Sequence, residues 1–342
     1  MSDRVLVTGV SGYLGGHIAA DLLAHGYRVR GTVRSVTAEL AAQLPDVELV
    51  TADLTDDAGW ADAAADCRYV VHAASPFPAV EPDDENELVR PAVDGTLRVL
   101  RAAAAAEVER VVLTSSVAAV RIGHRDRVCT EADWSDPQAC NAYEKSKTLA
   151  ERAAWDVARE RNIELVTINP GMILGPVQRA AVGTSVGALR ILLAREMPAV
   201  PPIGFATVDV RDAAVAHRLG LEVPEAAGNR YIVAGESVSM TDMARILATR
   251  YRVPTRTMPA LVLRLAARFD ATARLAASRL GKREEVSADK ARRELGWTMR
   301  PIEQTLLDTA ESLVRLGVVD DPGRPGARRR AGGLRTQSAS AA

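Results

Sequence analysis

The chain has little cysteine and few aromatics: three Cys and three Phe in 342 residues, with aromatics at only 4%. Cys67, Cys129 and Cys140 are odd in number, scattered, and form no C-x-x-C pair. That excludes a disulfide framework or a thiolate zinc site and suits a reducing compartment. These cysteines read as packing residues. The five histidines, His17, His25, His72, His124 and His217, lack ligand spacing, so no metal is expected. With 43 basic and 44 acidic residues, nothing favours nucleic acid or an anionic membrane. No apolar run approaches the roughly 20 residues of a membrane span. Folded-type sequence starts at Val5 with no signal peptide ahead of it, and a cytoplasmic location is the expectation.

What is present is a 47% apolar, 25% charged chain, long enough for a large core and one or two domains. Val5-Leu6-Val7 reads as a strand, and Thr8-Gly9-Val10-Ser11-Gly12-Tyr13-Leu14-Gly15 follows at once. A helical pattern then runs to about His25, with Gly26 at its C-terminal cap. Strand, glycine turn and helix together suit a bound diphosphate. Glycines permit the tight turn and the close backbone approach, and free N–H groups at the helix start receive the phosphates. The G-x-x-G-x-x-G spacing alone is a moderate signal, because glycines also mark ordinary turns.

Further strands are expected at 27–33, 47–51, 69–73, 110–114 and 165–169, and helices at 57–65, 87–106 and 142–161. This alternation predicts an α/β fold with a doubly wound parallel sheet. Past Pro170 the pattern loosens, with loops at Pro198, Pro201 and Pro202. A strand at 206–210, a helix at 212–221 and a strand at 231–234 are followed by helices at 240–251, 260–280, 288–295 and 302–316. The stretch 320–342, which includes Arg328, Arg329 and Arg330, reads as a disordered, solvated tail.

Tyr143 and Lys147 lie four apart on one expected helix and share a face. A nearby ammonium favours the phenolate and lowers a tyrosine pKa toward useful acid–base range. Ser115-Ser116 ends the fifth strand. In a doubly wound sheet, ligands gather at the C-terminal strand ends, and Gly9, Asp53, Ala73, Ser116 and Pro170 fall at or just after such ends.

With these residues in view, the chain resembles an extended short-chain dehydrogenase/reductase. It is most similar to the group of plant dihydroflavonol reductase, cinnamoyl-CoA reductase and microbial aldehyde and ketone reductases. The matching text is V-T-G-V-S-G-Y-L-G, T-V-R at 32–34, A-D-L at 52–54, H-A-A-S-P-F at 72–77 and R-P-A-V-D-G-T-L at 90–97. It continues with L-T-S-S at 113–116, Y-E-K-S-K-T-L-A-E at 143–151, N-P-G-M-I-L-G-P at 169–176, V-D-V-R-D at 208–212 and L-G-W at 295–297.

The resemblance implies a Rossmann sheet with a smaller, mostly helical C-terminal substrate cap: a dinucleotide-binding unit over 1–174, rejoined by about 206–234, and a cap from 175–205 and 235–319. Tyr143 would give its proton to a carbonyl oxygen, and Ser116 would hydrogen-bond that oxygen, with Ser115 as the alternative hydroxyl. Lys147 would hold the nicotinamide ribose. Gly9, Gly12, Tyr13, Leu14 and Gly15 would line the diphosphate, and Asp53 and Leu54 the adenine. Ala73, Ala74, Ser75 and Thr114 would follow along the dinucleotide, and Pro170, Gly171 and Met172 would meet the nicotinamide side. At the end of the second strand, an arginine rather than an acid accommodates a 2′-phosphate, so Arg34 points to NADPH. Arg30 alternates to the other face of that strand.

The expected function is therefore an NADPH-dependent reductase of aldehydes or ketones. The alternatives are an NAD-dependent nucleotide-sugar epimerase, a hydroxysteroid-type dehydrogenase and a non-catalytic dinucleotide sensor. Val117-Ala118 replace the Asp-Glu pair of sugar-nucleotide dehydratases, which weighs against that class. Phe77, Arg121, Ile203 and Phe205 are the candidates for substrate contact, although Arg121 reads first as a solvent-facing residue. The expected partner is a small carbonyl compound, with no nucleic acid or membrane. Monomer and homodimer are both compatible.

Overall fold

Runs such as Val5-Leu6-Val7 and Val111-Val112-Leu113 are buried at consecutive positions, as strands covered on both faces must be. The computed structural model describes residues 3–76, 82, 84–124, 127–269, 271–280 and 284–323. Its first half alternates β1 (Arg4–Thr8), α1 (Tyr13–Ala24), β2 (Arg28–Val33), α2 (Ala38–Gln43), β3 (Val47–Thr51), α3 (Trp60–Ala64), β4 (Tyr69–His72), α4 (Asn86–Ala105), β5 (Arg110–Thr114), α5 (Ala142–Arg161) and β6 (Glu164–Pro170). After these come β7 (Met172–Leu174), α6 (Thr184–Leu193), β8 (Gly204–Asp209), α7 (Val210–Glu222), β9 (Arg230–Val233) and β10 (Ser237–Ser239). The chain ends in helices α8 (Met240–Leu247), α9 (Ala260–Ala266), α10 (Ala271–Ser278), α11 (Asp289–Leu295) and α12 (Ile302–Arg315).

The main sheet has seven strands in the order β3-β2-β1-β4-β5-β6-β9. Every pairing in it is parallel. The chain winds outward in both directions from the adjacent β1 and β4, which makes their C-terminal ends the topological switch point. The fold is thus α/β and doubly wound, with a helical C-terminal region. Alternation along each strand feeds two cores. Leu6, Val70, Val111 and Leu165 pack with Val99 and Leu100 of α4 and Ala154 of α5. Val5, Val7, Val71 and Val112 pack with Ile18, Leu22, Tyr231 and Trp297 on the opposite face. A third core joins Leu189 and Leu192 of α6, Met243 and Leu247 of α8, and Leu306 and Leu313 of α12.

Two buried arginines tie helix ends to the sheet. Arg30 donates to the carbonyls of Asp62, Ala63 and Ala65 at the end of α3. Arg110 donates to those of Leu221 and Val223 at the end of α7. A cation on the free carbonyls of a helix C-terminus is favourable.

The last third differs from expectation in detail. The single helix expected at 260–280 is two, α9 and α10. The strand expected at 206–210 is β8, which pairs not with the main sheet but with β7 (parallel) and β10 (antiparallel) in a separate three-stranded sheet. The short elements α2, β7 and β10, and the longer α6, were not anticipated. Residues 324–342, where the tail was expected, lie outside the described residues.

Trp297 is 1% exposed, and its indole N–H donates to the Asp212 carbonyl at 2.8 Å. Trp297→Ala is expected to cost about 3–5 kcal/mol of stability in denaturant unfolding. A loss below about 1 kcal/mol would mean that the packing of the C-terminal helices on the sheet is not as described.

Candidate active site

The glycine turn is held in place by its neighbours. The Gly9 N–H donates to Thr32 Oγ1 at 3.1 Å, and the Ala74 N–H donates to Thr8 Oγ1 at 3.0 Å. Gly9 has φ +68, a left-handed conformation, and lies against Ala74. At Gly15 a Cβ would sit 2.3 Å from the Gly9 carbonyl oxygen, so the first turn of α1 closes directly onto the loop. α1 starts at Gly12 with no side-chain cap and no acidic residue in its first turn. Its leading N–H groups, including those at Tyr13 and Leu14, are thereby available to an anion. The Tyr13 hydroxyl is committed elsewhere, donating to the Gly175 carbonyl at 2.8 Å.

Arg34 is exposed just past β2 and acts electrostatically on Asp53, past β3. The Asp53 carboxylate accepts the Thr55 N–H and hydroxyl, and these bonds hold its pKa below the usual range. Leu54 packs so closely on Gly95 of α4 that a side chain there would collide with it. Thr114 is hydrogen-bonded to His217 at 2.7 Å, so its hydroxyl serves the core. At Gly171 a Cβ would meet the Ala206 carbonyl at 2.3 Å, which packs the turn after β6 against β8.

α5 opens with a capping box. The Asn141 side chain accepts the Glu144 N–H, and the Glu144 carboxylate accepts the Asn141 N–H. This fixes Tyr143 in the first turn. Tyr143 is half-buried and hydrogen-bonded to Ser116, which lies two residues past β5 and caps a short 3-10 turn. Burial raises the Tyr143 pKa above its ordinary value. The Ser116 bond and Arg279 pull it down, and Glu144 and Glu284 push it up. The expected lowering by Lys147 is therefore not what dominates: desolvation wins, and Tyr143 stays protonated at neutral pH. Lys147 is 8% exposed, and burial brings its pKa down to about 8, opposed by Glu151. No hydrogen bond or salt bridge holds its ammonium among the described residues. Ser115, the alternative hydroxyl, instead donates to Glu151.

Four side chains were candidates for substrate contact. Arg121 does not face solvent: its guanidinium is paired with Glu284 at 2.7 Å, and its Nε is buried without a partner. Arg279 pairs with the same Glu284 at 2.8 Å and lies over the Phe205 ring. Ile203 is buried in the third core. Phe77 lies outside the described residues, whereas Ser75, two before it, is half-buried after β4. Met172 also packs against the third core. Arg179, not singled out from sequence, donates to the Ser11 carbonyl at 2.7 Å and so clasps the glycine loop from the far side.

This arrangement fits a phosphorylated dinucleotide. An uncapped helix start and a glycine-closed loop suit a diphosphate, a buried ammonium suits ribose hydroxyls, and an exposed guanidinium suits a terminal phosphate.

A model of the NAD dependent epimerase/dehydratase family matches residues 5–235. Cinnamoyl-CoA reductase 1 of Petunia hybrida is 35% identical over 93% of this chain and 94% of its own length. The bifunctional dihydroflavonol 4-reductase/flavanone 4-reductase of Malus domestica is 34% identical over 75% of this chain and 79% of its own. Among solved structures, yeast methylglyoxal/isovaleraldehyde reductase complexed with NADPH superimposes with a TM-score of 0.77 at 27% identity. That match covers 92% of this chain and 99% of the yeast one.

Gly15→Ala is expected to weaken dinucleotide binding by at least about tenfold in a fluorescence titration, because the loop must open to admit the methyl. Unchanged affinity would place the diphosphate elsewhere. Two buried histidines behind the site give a pH signature. Burial pushes His72 down to about 3 and His217 to about 4, from an ordinary 6.5. Below 6.5 the unfolded chain takes up protons that the folded chain refuses, so stability is complete above 6.5 and falls toward pH 4. His217→Gln should flatten this fall by up to about 1.4 kcal/mol per pH unit, whereas an unchanged slope would show that His217 is not buried neutral.

Proposed function

The chain belongs to the NAD dependent epimerase/dehydratase family, and we propose that it is an NADPH-dependent reductase of an aldehyde or ketone carbonyl. One observation carries the reading. The Tyr143 hydroxyl is hydrogen-bonded to Ser116, with Lys147 one turn further along the same helix, beyond the strand ends that meet the glycine turn.

A bound nicotinamide supplies hydride. Tyr143, kept protonated by its buried setting, gives its proton to the carbonyl oxygen as negative charge grows there. Positioned proton transfer of this kind contributes roughly 10²–10⁴-fold. Ser116 accepts the Ala118 N–H through its oxygen, and its O–H, which meets Tyr143 in the free enzyme, turns to donate to the same carbonyl oxygen when substrate enters. The Lys147 ammonium holds the ribose hydroxyls and stabilises the tyrosinate left after transfer. Gly9, Gly12 and Gly15 cradle the diphosphate. Arg34 takes the 2′-phosphate, the feature that sets NADPH above NADH. The relatives' names are those of reductases, and the yeast neighbour holds NADPH, which supports the same cofactor here.

The stretches 175–205 and 235–319 form the substrate cap in this reading, against a nucleotide unit of 1–174 and about 206–234. Arg121 and Arg279 both pair with Glu284 and with Glu144, two cations against two carboxylates, so the cluster presents little net charge. This supports an uncharged carbonyl compound with an apolar or aromatic body, packed near Phe205 and Met172, over an acidic one.

The test is NADPH oxidation, followed by absorbance, against aromatic aldehydes, α-keto esters and bulky ketones. Turnover of several of them is expected. Silence across the panel with NADPH still bound would contradict the reading. Tyr143→Phe should lower kcat by at least about 10²-fold and leave NADPH affinity within a few-fold. Substantial residual reduction would remove the assigned acid. Arg34→Ala should raise the Kd for NADPH by about tenfold or more and leave that for NADH nearly unchanged. Equal effects on both cofactors would contradict the 2′-phosphate assignment.

A further inference from the structure

We propose that Glu151 is a positioning residue of the reaction centre. Its buried carboxylate, locked by Arg230, anchors the backbone on both sides of Ser116 and sits one helical turn from Lys147. The kinetic part of this inference rests on the reductase reading; the electrostatic part does not.

Glu151 lies one turn beyond Lys147 on α5 and is 0% exposed. Side chains from three strands and its own helix converge on it. Oε1 accepts from Arg230 Nε at 2.6 Å, Thr167 Oγ1 at 3.0 Å and Trp155 Nε1 at 3.4 Å. Oε2 accepts from Asn169 Nδ2 at 2.8 Å, Arg230 Nη2 at 3.3 Å and the Ser115 hydroxyl. Arg230 is fixed in turn. It donates to the carbonyls of Glu131 and Asp133 at 2.9 and 2.7 Å, and its guanidinium lies 3.7 Å from the Trp134 ring centroid. A buried ion pair adds little net stability over apolar residues of the same volume, so its value lies in what it positions.

Two things are positioned. The first is Ser116. Asn169 Nδ2 donates both to Glu151 and, at 3.1 Å, to the Ser116 carbonyl, while the preceding Ser115 is held by its own hydroxyl. The backbone on either side of Ser116 is therefore anchored to one carboxylate. The second is the charge on Lys147. Burial disfavours the ammonium, and Glu151 is the group that favours it. The other titratable groups around Lys147 are Tyr143 on its own helix and His72 on β4, and His72 is neutral. Around Glu151, β9 supplies Arg230, while β5 and β6 supply only hydroxyls and an amide. At the α4–α5 contact, Glu85 pairs with Lys145 near the surface. Arg279, Glu144 and Glu284 act on Tyr143 rather than on this pair.

The chain contains four lysines, Lys145, Lys147, Lys282 and Lys290. Carbon-13 lysine NMR of the full chain without cofactor therefore isolates Lys147, assigned through Lys147→Arg. In the wild type its signal should titrate near 8. In Glu151→Gln the midpoint should fall by about one pH unit, a tenfold change in proton affinity, and Glu151→Asp should recover most of it. The alkaline limb of kcat should move with the midpoint. Ser115→Ala, which leaves the charge in place, should lower kcat roughly tenfold with the Lys147 midpoint unchanged.

An identical Lys147 midpoint in wild type and Glu151→Gln would overturn the electrostatic role. Should Glu151→Gln fail to fold, Ser115→Ala decides, and wild-type kcat in that variant would overturn the positioning of Ser116. A wild type with no reductase activity would sink the reductase reading, and the NMR midpoints would still decide the role of Glu151.

Discussion

The interaction that the rest of the site depends on is the enclosed pair of Glu151 and Arg230. It joins residues 79 apart in sequence and pins α5 to three neighbouring strands of the main sheet, β5, β6 and β9. Removing one partner would strand the other charge in the interior at a cost of about 3–5 kcal/mol. The same carboxylate is one turn from Lys147 and two bonds away, through Asn169, from the Ser116 carbonyl. A single constraint thus sets the pitch of the helix that carries Tyr143 and the position of the strand end that faces it.

The electrostatics of the reacting groups follow from burial more than from pairing. Desolvation raises the Tyr143 pKa above its ordinary value and lowers that of Lys147 to about 8, which drives the two apart. A protonated tyrosine beside a lysine that titrates near neutral pH suits proton donation, the direction a reduction needs. The cation for the dinucleotide's terminal phosphate lies outside this enclosed region. Arg34, to which the proposed reading gives that role, is exposed, so it would distinguish cofactors without perturbing the reacting groups.

Much of this was legible in the sequence. Parallel strands buried on both faces give consecutive apolar residues, and so 110–114 was placed residue for residue as β5; 47–51, a half-exposed edge strand, was placed equally well as β3. The helix at 142–161 was placed residue for residue as α5, and the structure adds the capping box of Asn141 and Glu144 that starts it. The glycine turn and the Tyr143–Lys147 spacing were local signals as well. What was not legible depends on contacts distant in sequence. Glu151 looks like any acid on a helix, and Arg230 like the first residue of a strand. Arg121 read as a surface arginine because its partner, Glu284, is 163 positions away, as their residue numbers show. The six-residue α2 buries no side chain and leaves no apolar stripe to read, and the three-residue β7 and β10 are too short to show a period.

The measurement that tests the central claim most directly is a single turnover with NADPH deuterated at the transferring position of the nicotinamide and an aromatic aldehyde or ketone as substrate. The account predicts one deuterium on the carbinol carbon of the product alcohol and an equal amount of oxidised cofactor. A substrate that is isomerised while the cofactor returns to its reduced, deuterated state would contradict it and point to an epimerase.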